Sequence, residues 1–161
     1  MNKDTKVIDL EKVVIKFAGD SGDGMQLTGS QFTETSALLG NDLATFPDFP
    51  AEIRAPLGTV AGVSGFQVHI GNTEINTPGD VADVLVAMNP AALKANKNWI
   101  KKGGTIIINS DSFAKKDLDK AGYENNPLED GSFSGFNIVE APIANLTQET
   151  LKDSGLDGKS I

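Results

Sequence analysis

Two aspartates and a serine stand among three glycines in the run Ala18-Gly19-Asp20-Ser21-Gly22-Asp23-Gly24-Met25. The chemistry this pattern suggests is anion binding or a tight turn. The run follows an apolar, β-branched stretch and precedes a helical pattern, where loop amides and a helix N-terminus can hold an anion. Glycines also let a ligand approach closely, because they carry no Cβ. Gly22 and Gly24 are followed by Leu27 where a dinucleotide fingerprint places its third small residue, and no Gly-Lys-Ser/Thr occurs. Asp20 and Asp23 add negative charge where a phosphate would sit. Three readings stay open: a tight turn with Asp23 or Ser21 capping the helix, direct ligand contact by Gly19, Ser21, Gly22, Asp23 and Gly24, or contact with another subunit.

The second candidate is Glu52-Ile53-Arg54-Ala55-Pro56. Arg54 is the single arginine of the chain, and it lies in a proline-stiffened loop. A planar guanidinium held there suits bidentate recognition of a carboxylate or phosphate, the alternative being an internal ion pair with Glu52 or a nearby aspartate. His69, the one histidine, falls on the polar side of an alternating segment and reads as a surface residue rather than a base. Phe46 and Phe49 flank the loop and read as a small packing cluster. Lys101 and Lys102 are expected at a helix C-terminus, where the dipole favours cations. No carboxylates pair at a spacing that suggests acid–base work, so no catalytic residue is assigned.

Composition narrows the classes. The 161 residues contain no Cys, so this chain offers no thiolate for an iron–sulfur cluster, a zinc site or a Cys–His nucleophile. A net charge of −8 excludes a phosphate backbone held by bulk charge, so nucleic acid is not expected as a partner. No apolar run is long enough to cross a membrane, and the polar start Met1-Asn2-Lys3-Asp4 does not resemble a signal peptide; a cytoplasmic location is expected.

The elements that must position these residues alternate between strand and helix. Residues 13–18 form a fully apolar strand apart from Lys16. Residues 25–39 place Met25, Gly29, Phe32, Ser36 and Leu39 on one helical face, with a stop at Gly40-Asn41. The segment 41–62 is proline-rich and cannot be a regular helix. Residues 65–71 alternate as a half-buried strand does. Residues 84–88 form a second apolar strand, and Asn89-Pro90 opens a helix expected to reach Lys102 and close on Gly103-Gly104. Strands over 105–109 and 137–141 follow, then a short helix over 147–152. This order predicts an α/β fold: three layers, a mostly parallel sheet with helices on both faces, Rossmann-like. Residues 1–12 read as a polar extension and 13–161 as one domain. Asp157-Gly158-Lys159-Ser160 resembles the entry to a further helix, so the domain is expected to be truncated at its C-terminal side.

Four motifs then occur in order: Gly19-Asp20-Ser21-Gly22-Asp23-Gly24, Glu52-Ile53-Arg54-Ala55-Pro56-Leu57-Gly58, Ala82-Asp83-Val84-Leu85-Val86-Ala87-Met88-Asn89-Pro90 and Gly103-Gly104-Thr105-Ile106-Ile107-Ile108-Asn109. Together they resemble the gamma domain of the 2-oxoacid:ferredoxin oxidoreductases, and most nearly the N-terminal part of the alpha subunit of the 2-oxoglutarate enzymes. The resemblance implies oxidative decarboxylation of a 2-oxoacid to an acyl-CoA on thiamine diphosphate with Mg2+. Electrons would pass through a [4Fe-4S] cluster to ferredoxin. It implies as partners the remainder of the alpha subunit and a beta subunit carrying thiamine and cluster, with this domain structural and coenzyme-A-facing, inactive alone. Carried over by position, it points to Gly19, Gly22, Gly24, Glu52 and Arg54; Asp20 and Asp23 depart from the family's less acidic loop, which favours Arg54 as the anion partner and the loop as an interdomain surface. The alternative is a stand-alone nucleotide- or CoA-binding α/β module; a purely docking domain is the third reading.

Overall fold

A computed structural model describes residues 9–49 and 62–152. Ten elements follow in order: β1 (Lys12–Asp20), α1 (Met25–Leu38), β2 (Asp42–Asp48), β3 (Val63–Gly71), β4 (Ala82–Ala87), α2 (Pro90–Asn96), β5 (Ile100–Asn109), α3 (Lys115–Lys120), β6 (Asn137–Ala141) and α4 (Ile143–Leu151). They build one six-stranded sheet in the order β2-β3-β1-β4-β5-β6. The expected α/β class holds, with β1, β4, β5 and β6 parallel along three ladders.

The sheet is mixed, because β3 runs antiparallel to both β1 and β2. The proline-rich stretch, read as unable to form a regular helix, supplies an edge strand over Asp42–Asp48. Pro47 is tolerated because an edge strand needs its ladder bonds on one side only. Phe46 and Phe49 do not form the packing cluster expected of them; both rings are exposed.

Residues one apart on a strand face opposite ways, and the two cores follow that alternation. Phe17, Phe66 and Val68 pack with Met25 and Phe32 under α1. Ala18, Leu85, Ala87, Ile106 and Ile108 pack with Ala92 and Leu93 of α2, and with Phe133 from the segment before β6. Helix α1 approaches so closely that a Cβ at Gly29 would lie 2.2 Å from Phe66. Its far end departs from the expected face: Leu39 is 77% exposed, because the helix has already closed there, with Gly40 at φ 85°.

Two boundaries differ from the sequence reading. Helix α2 ends at Asn96 and a single 3-10 turn leads into β5 at Ile100, so Lys101 and Lys102 are strand residues. Lys101 finds its compensation in Asp83, whose Oδ1 accepts from Nζ at 2.6 Å while Oδ2 accepts from the Val14 amide at 2.8 Å. Helix α4 begins four residues early, at Ile143, whose amide donates to the Asn109 Oδ1. At α2 the ladder of β5 with β4, and at α4 the bond to Asn109, override local propensity. Among the described residues no helix is long and apolar enough to cross a membrane.

Candidate functional site

Helix α1 leaves β1 toward one face of the sheet, whereas α2 leaves the neighbouring parallel strand β4 toward the other. Such a divergence opens a crevice beyond the carboxyl ends of the strands. A cleft of about 740 Å³ lies there, lined by Asp20 and Asp23 from the glycine loop, Asn89 and Lys94 from α2 and its entry, Asn109 from the end of β5, and Lys120 from α3.

The glycine loop is closed by its own groups. The Asp20 amide donates to the Asp23 Oδ2 at 2.8 Å, and the Asp23 amide returns to the Asp20 carbonyl at 3.0 Å. The Ser21 amide donates to the Gly62 carbonyl at 2.9 Å. Three of the loop's donors are thus engaged before any ligand arrives. Gly19 permits this closure, since a Cβ there would meet the Asp23 carboxylate at 2.8 Å. Gly24 is the N-cap of α1 at φ 70°, in the left-handed region, and no side chain caps the helix. The expected cap by Asp23 or Ser21 is therefore replaced: Asp23 is spent on the turn. Gly22 has nothing within 4 Å of a built Cβ, so the turn does not need a glycine there for space.

Asn89 joins the two walls. Its Oδ1 caps α2 by accepting from the Ala92 amide at 2.8 Å, as the sequence predicts, while Nδ2 donates to the Asp20 Oδ1 at 2.9 Å. Sequence reasoning found the cap and missed the bridge. The available signal was a polar residue ending each apolar strand, Asn89 after β4 and Asn109 on β5. Asn109 likewise ties two segments, its Oδ1 accepting from the Ile143 amide of α4 at 3.1 Å while Nδ2 donates to the nearby Ser112 Oγ at 2.9 Å. Lys94, the one cation of α2, spends its ammonium on the carbonyls of Ala121 and Gly122, both at 2.8 Å, and lies over the Tyr123 ring.

Each of these polar groups is engaged in hydrogen bonds within the fold. His69 stands away from the cleft, with Nδ1 donating to the Thr77 carbonyl at 2.7 Å, and so fastens the loop after β3. Among the described residues Tyr123 is pushed up to about 12, chiefly by burial and then by the charge of Asp130. Among the described residues no group of three His, Asp or Glu side chains is placed to hold a metal ion. Of the seven residues offered as cofactor contacts, Gly19, Ser21, Gly22, Asp23 and Gly24 come together in this one turn. Glu52 and Arg54 lie outside the described residues.

A family model described as pyruvate ferredoxin/flavodoxin oxidoreductase matches residues 14–157. The 2-oxoglutarate oxidoreductase subunit KorA of Mycobacterium tuberculosis is 56% identical over 150 residues, which cover 93% of this chain and 23% of that protein. A solved 2-oxoglutarate:ferredoxin oxidoreductase from Magnetococcus marinus, with 2-oxoglutarate, coenzyme A and succinyl-CoA bound, aligns with a TM-score of 0.66 and 25% identity over 89% of this chain and 22% of its own. The keto/oxoacid ferredoxin oxidoreductase gamma subunit of Geobacter sulfurreducens shares the fold, with a TM-score of 0.61 at 18% identity, over 87% of this chain and 66% of its own. The chain spans less than a quarter of the length of the first two.

Proposed function

The chain belongs to the pyruvate ferredoxin/flavodoxin oxidoreductase family, and on that premise we propose that it is the gamma domain of a thiamine-dependent 2-oxoacid:ferredoxin oxidoreductase acting on 2-oxoglutarate. The observation that carries the substrate is the 56% identity to the KorA subunit across nearly the whole chain. In this reading the assembly decarboxylates 2-oxoglutarate and passes the acyl group to coenzyme A, giving succinyl-CoA. The electrons released go to ferredoxin, in the cytoplasm.

The chain's own residues assign it a supporting share of that work. With no Cys, it has no thiolate for a [4Fe-4S] cluster. As the family resemblance implies, cluster, thiamine diphosphate and Mg2+ are assigned to the remainder of the alpha subunit and to a beta subunit. Coenzyme A is assigned to the crevice between β1 and β4, whose volume suits an extended ligand. The glycine loop does not fit a phosphate: its amides at Asp20, Ser21 and Asp23 are engaged, and two carboxylates face the opening. Residues 19–24 serve instead as a preformed wall of the crevice, and the anionic end of the ligand is assigned to Arg54.

Co-expression with the thiamine- and cluster-bearing partners should reconstitute reduction of a viologen dye that requires both 2-oxoglutarate and coenzyme A. Arg54→Ala should raise the KM for coenzyme A and leave kcat nearly unchanged. Tight binding of coenzyme A or a nucleotide by this chain alone, measured by calorimetry, would favour the stand-alone module; failure to associate with any such partner would remove the oxidoreductase reading.

A further inference from the structure

The strands that carry the apolar core under α1 show an unlike surface on their other side. Lys16 and Gln67 are buried there, and Asn96 joins them from the end of α2. Buried polar side chains on a sheet face are more informative than exposed apolar ones. Lys16 Nζ donates to the Asp48 Oδ2 at 3.2 Å, and Gln67 Nε2 donates to the carbonyls of Pro78 and Gly79 at 2.9 and 2.6 Å. A groove of about 560 Å³ lies over this floor. Its walls carry two large aromatic rings, Phe46 of β2 and Trp99 after α2, each 54% exposed. Its remaining charge is acidic. Asp48 is balanced by Lys16, whereas Asp80 on the lip forms no ion pair among the described residues.

We propose that this groove is a docking surface for an arginine side chain on a partner polypeptide. The guanidinium would lie against Phe46 and Trp99 and be met by the carboxylates of Asp80 and Asp48. Three features select this occupant. Exposed aromatic faces attract a cation, and a planar guanidinium gains stacking that an ammonium does not. The unpaired carboxylate supplies the complementary charge. Strand β2 is an edge of the sheet, so among the described residues no strand pairs with its outer side, although Pro47 removes one donor and leaves side-chain docking as the main source of binding. The inference rests on the assembly reading for the partner's existence, but not for the surface itself.

Trp99 is the only tryptophan, so its fluorescence reports on the groove directly. The whole chain is titrated with acetyl-Gly-Arg-Gly-amide, and with the Lys and Glu versions of that peptide. A saturable change in emission with the Arg peptide, smaller with Lys and absent with Glu, is expected. The double variant Phe46→Ala/Asp80→Asn changes two exposed side chains and should weaken that binding by about tenfold. An equal response to the Glu peptide, no response to the Arg peptide, or unchanged affinity in the double variant overturns the proposal. So does light scattering that shows a Phe46-dependent dimer, since a second copy would then be the occupant. In a second arm the same variant is co-expressed with the thiamine- and cluster-bearing subunit and should lose co-purification. If the unaltered chain also fails there while the Arg peptide still binds, the oxidoreductase assembly is at fault and the groove stands.

Discussion

Strands β1 and β3 carry two faces that differ in kind. Toward α1 they present Phe17, Phe66 and Val68, sealed by a helix brought within contact distance at Gly29. Toward α2 they present Ala18, which joins the core under that helix, and beside it Lys16 and Gln67, which floor a groove. The same backbone register serves both, so the difference lies wholly in the alternation of side chains. One face is built to be dry and rigid, and the other keeps polar groups buried but each joined to a partner. On these two strands the apolar positions facing α1 should therefore carry more stability than Lys16 and Gln67, which should tolerate change.

The largest effect is expected from Phe66→Ala, which removes a buried ring from the sealed face and should cost about 3–5 kcal/mol in denaturant unfolding. Gly29→Ala comes next. It should cost about 1–3 kcal/mol through overpacking against Phe66, and combining it with Phe66→Ala should relieve part of the loss. Strict additivity of the two would show that helix and sheet do not meet as described. Asn89→Ala, which unties the cleft from the glycine turn, should cost about 1 kcal/mol by loss of the α2 cap. On the polar face Lys16→Met should change stability by less than about 1 kcal/mol, since the Asp48 it leaves behind is nearly half exposed. A loss as large as that of Phe66→Ala would erase the distinction between the faces.

Tyr123 tests the same distinction from outside both faces. Its hydroxyl is the one buried side-chain polar atom without a hydrogen-bond partner among the described residues, unlike Lys16 and Gln67. Tyr123→Phe should then leave stability unchanged or raise it slightly at neutral pH. The pKa of Tyr123 rises from 10.0 to about 12 in the folded chain, so the folded state holds this proton more tightly than the unfolded state does. The contribution is complete below pH 10 and is lost as pH rises toward 12. The phenylalanine variant should lack that alkaline loss, and absorbance titration of the chain's only tyrosine reads the shift directly.

Much of the frame was legible because it depends on local pattern. The apolar runs at 13–18, 84–88 and 105–109, the Asn89 cap and the glycine turn after β1 each follow from side-chain period and backbone chemistry over a few residues. The antiparallel insertion of β2 and β3 was not legible. Prolines mask an edge strand, and pairing direction depends on contacts between β3 and residues about fifty positions away in β1. The early end of α2 at Asn96 was hidden for the same reason, since β5 is held by its ladder with β4 rather than by its own composition.

The amino-acid order determined that β1 would end in a small, acidic turn, that no thiolate chemistry could occur in this chain, and which residues would be apolar on each strand. Assembly in three dimensions decided what that turn is for. It spent the loop's amides on internal bonds, joined Asp20 to Asn89 across 69 positions, and set Phe46 and Trp99 on the walls of one groove. Spacing along a chain fixes which neighbours a side chain can meet within a few residues, whereas bonds between distant strands depend on the order in which the sheet is laid down.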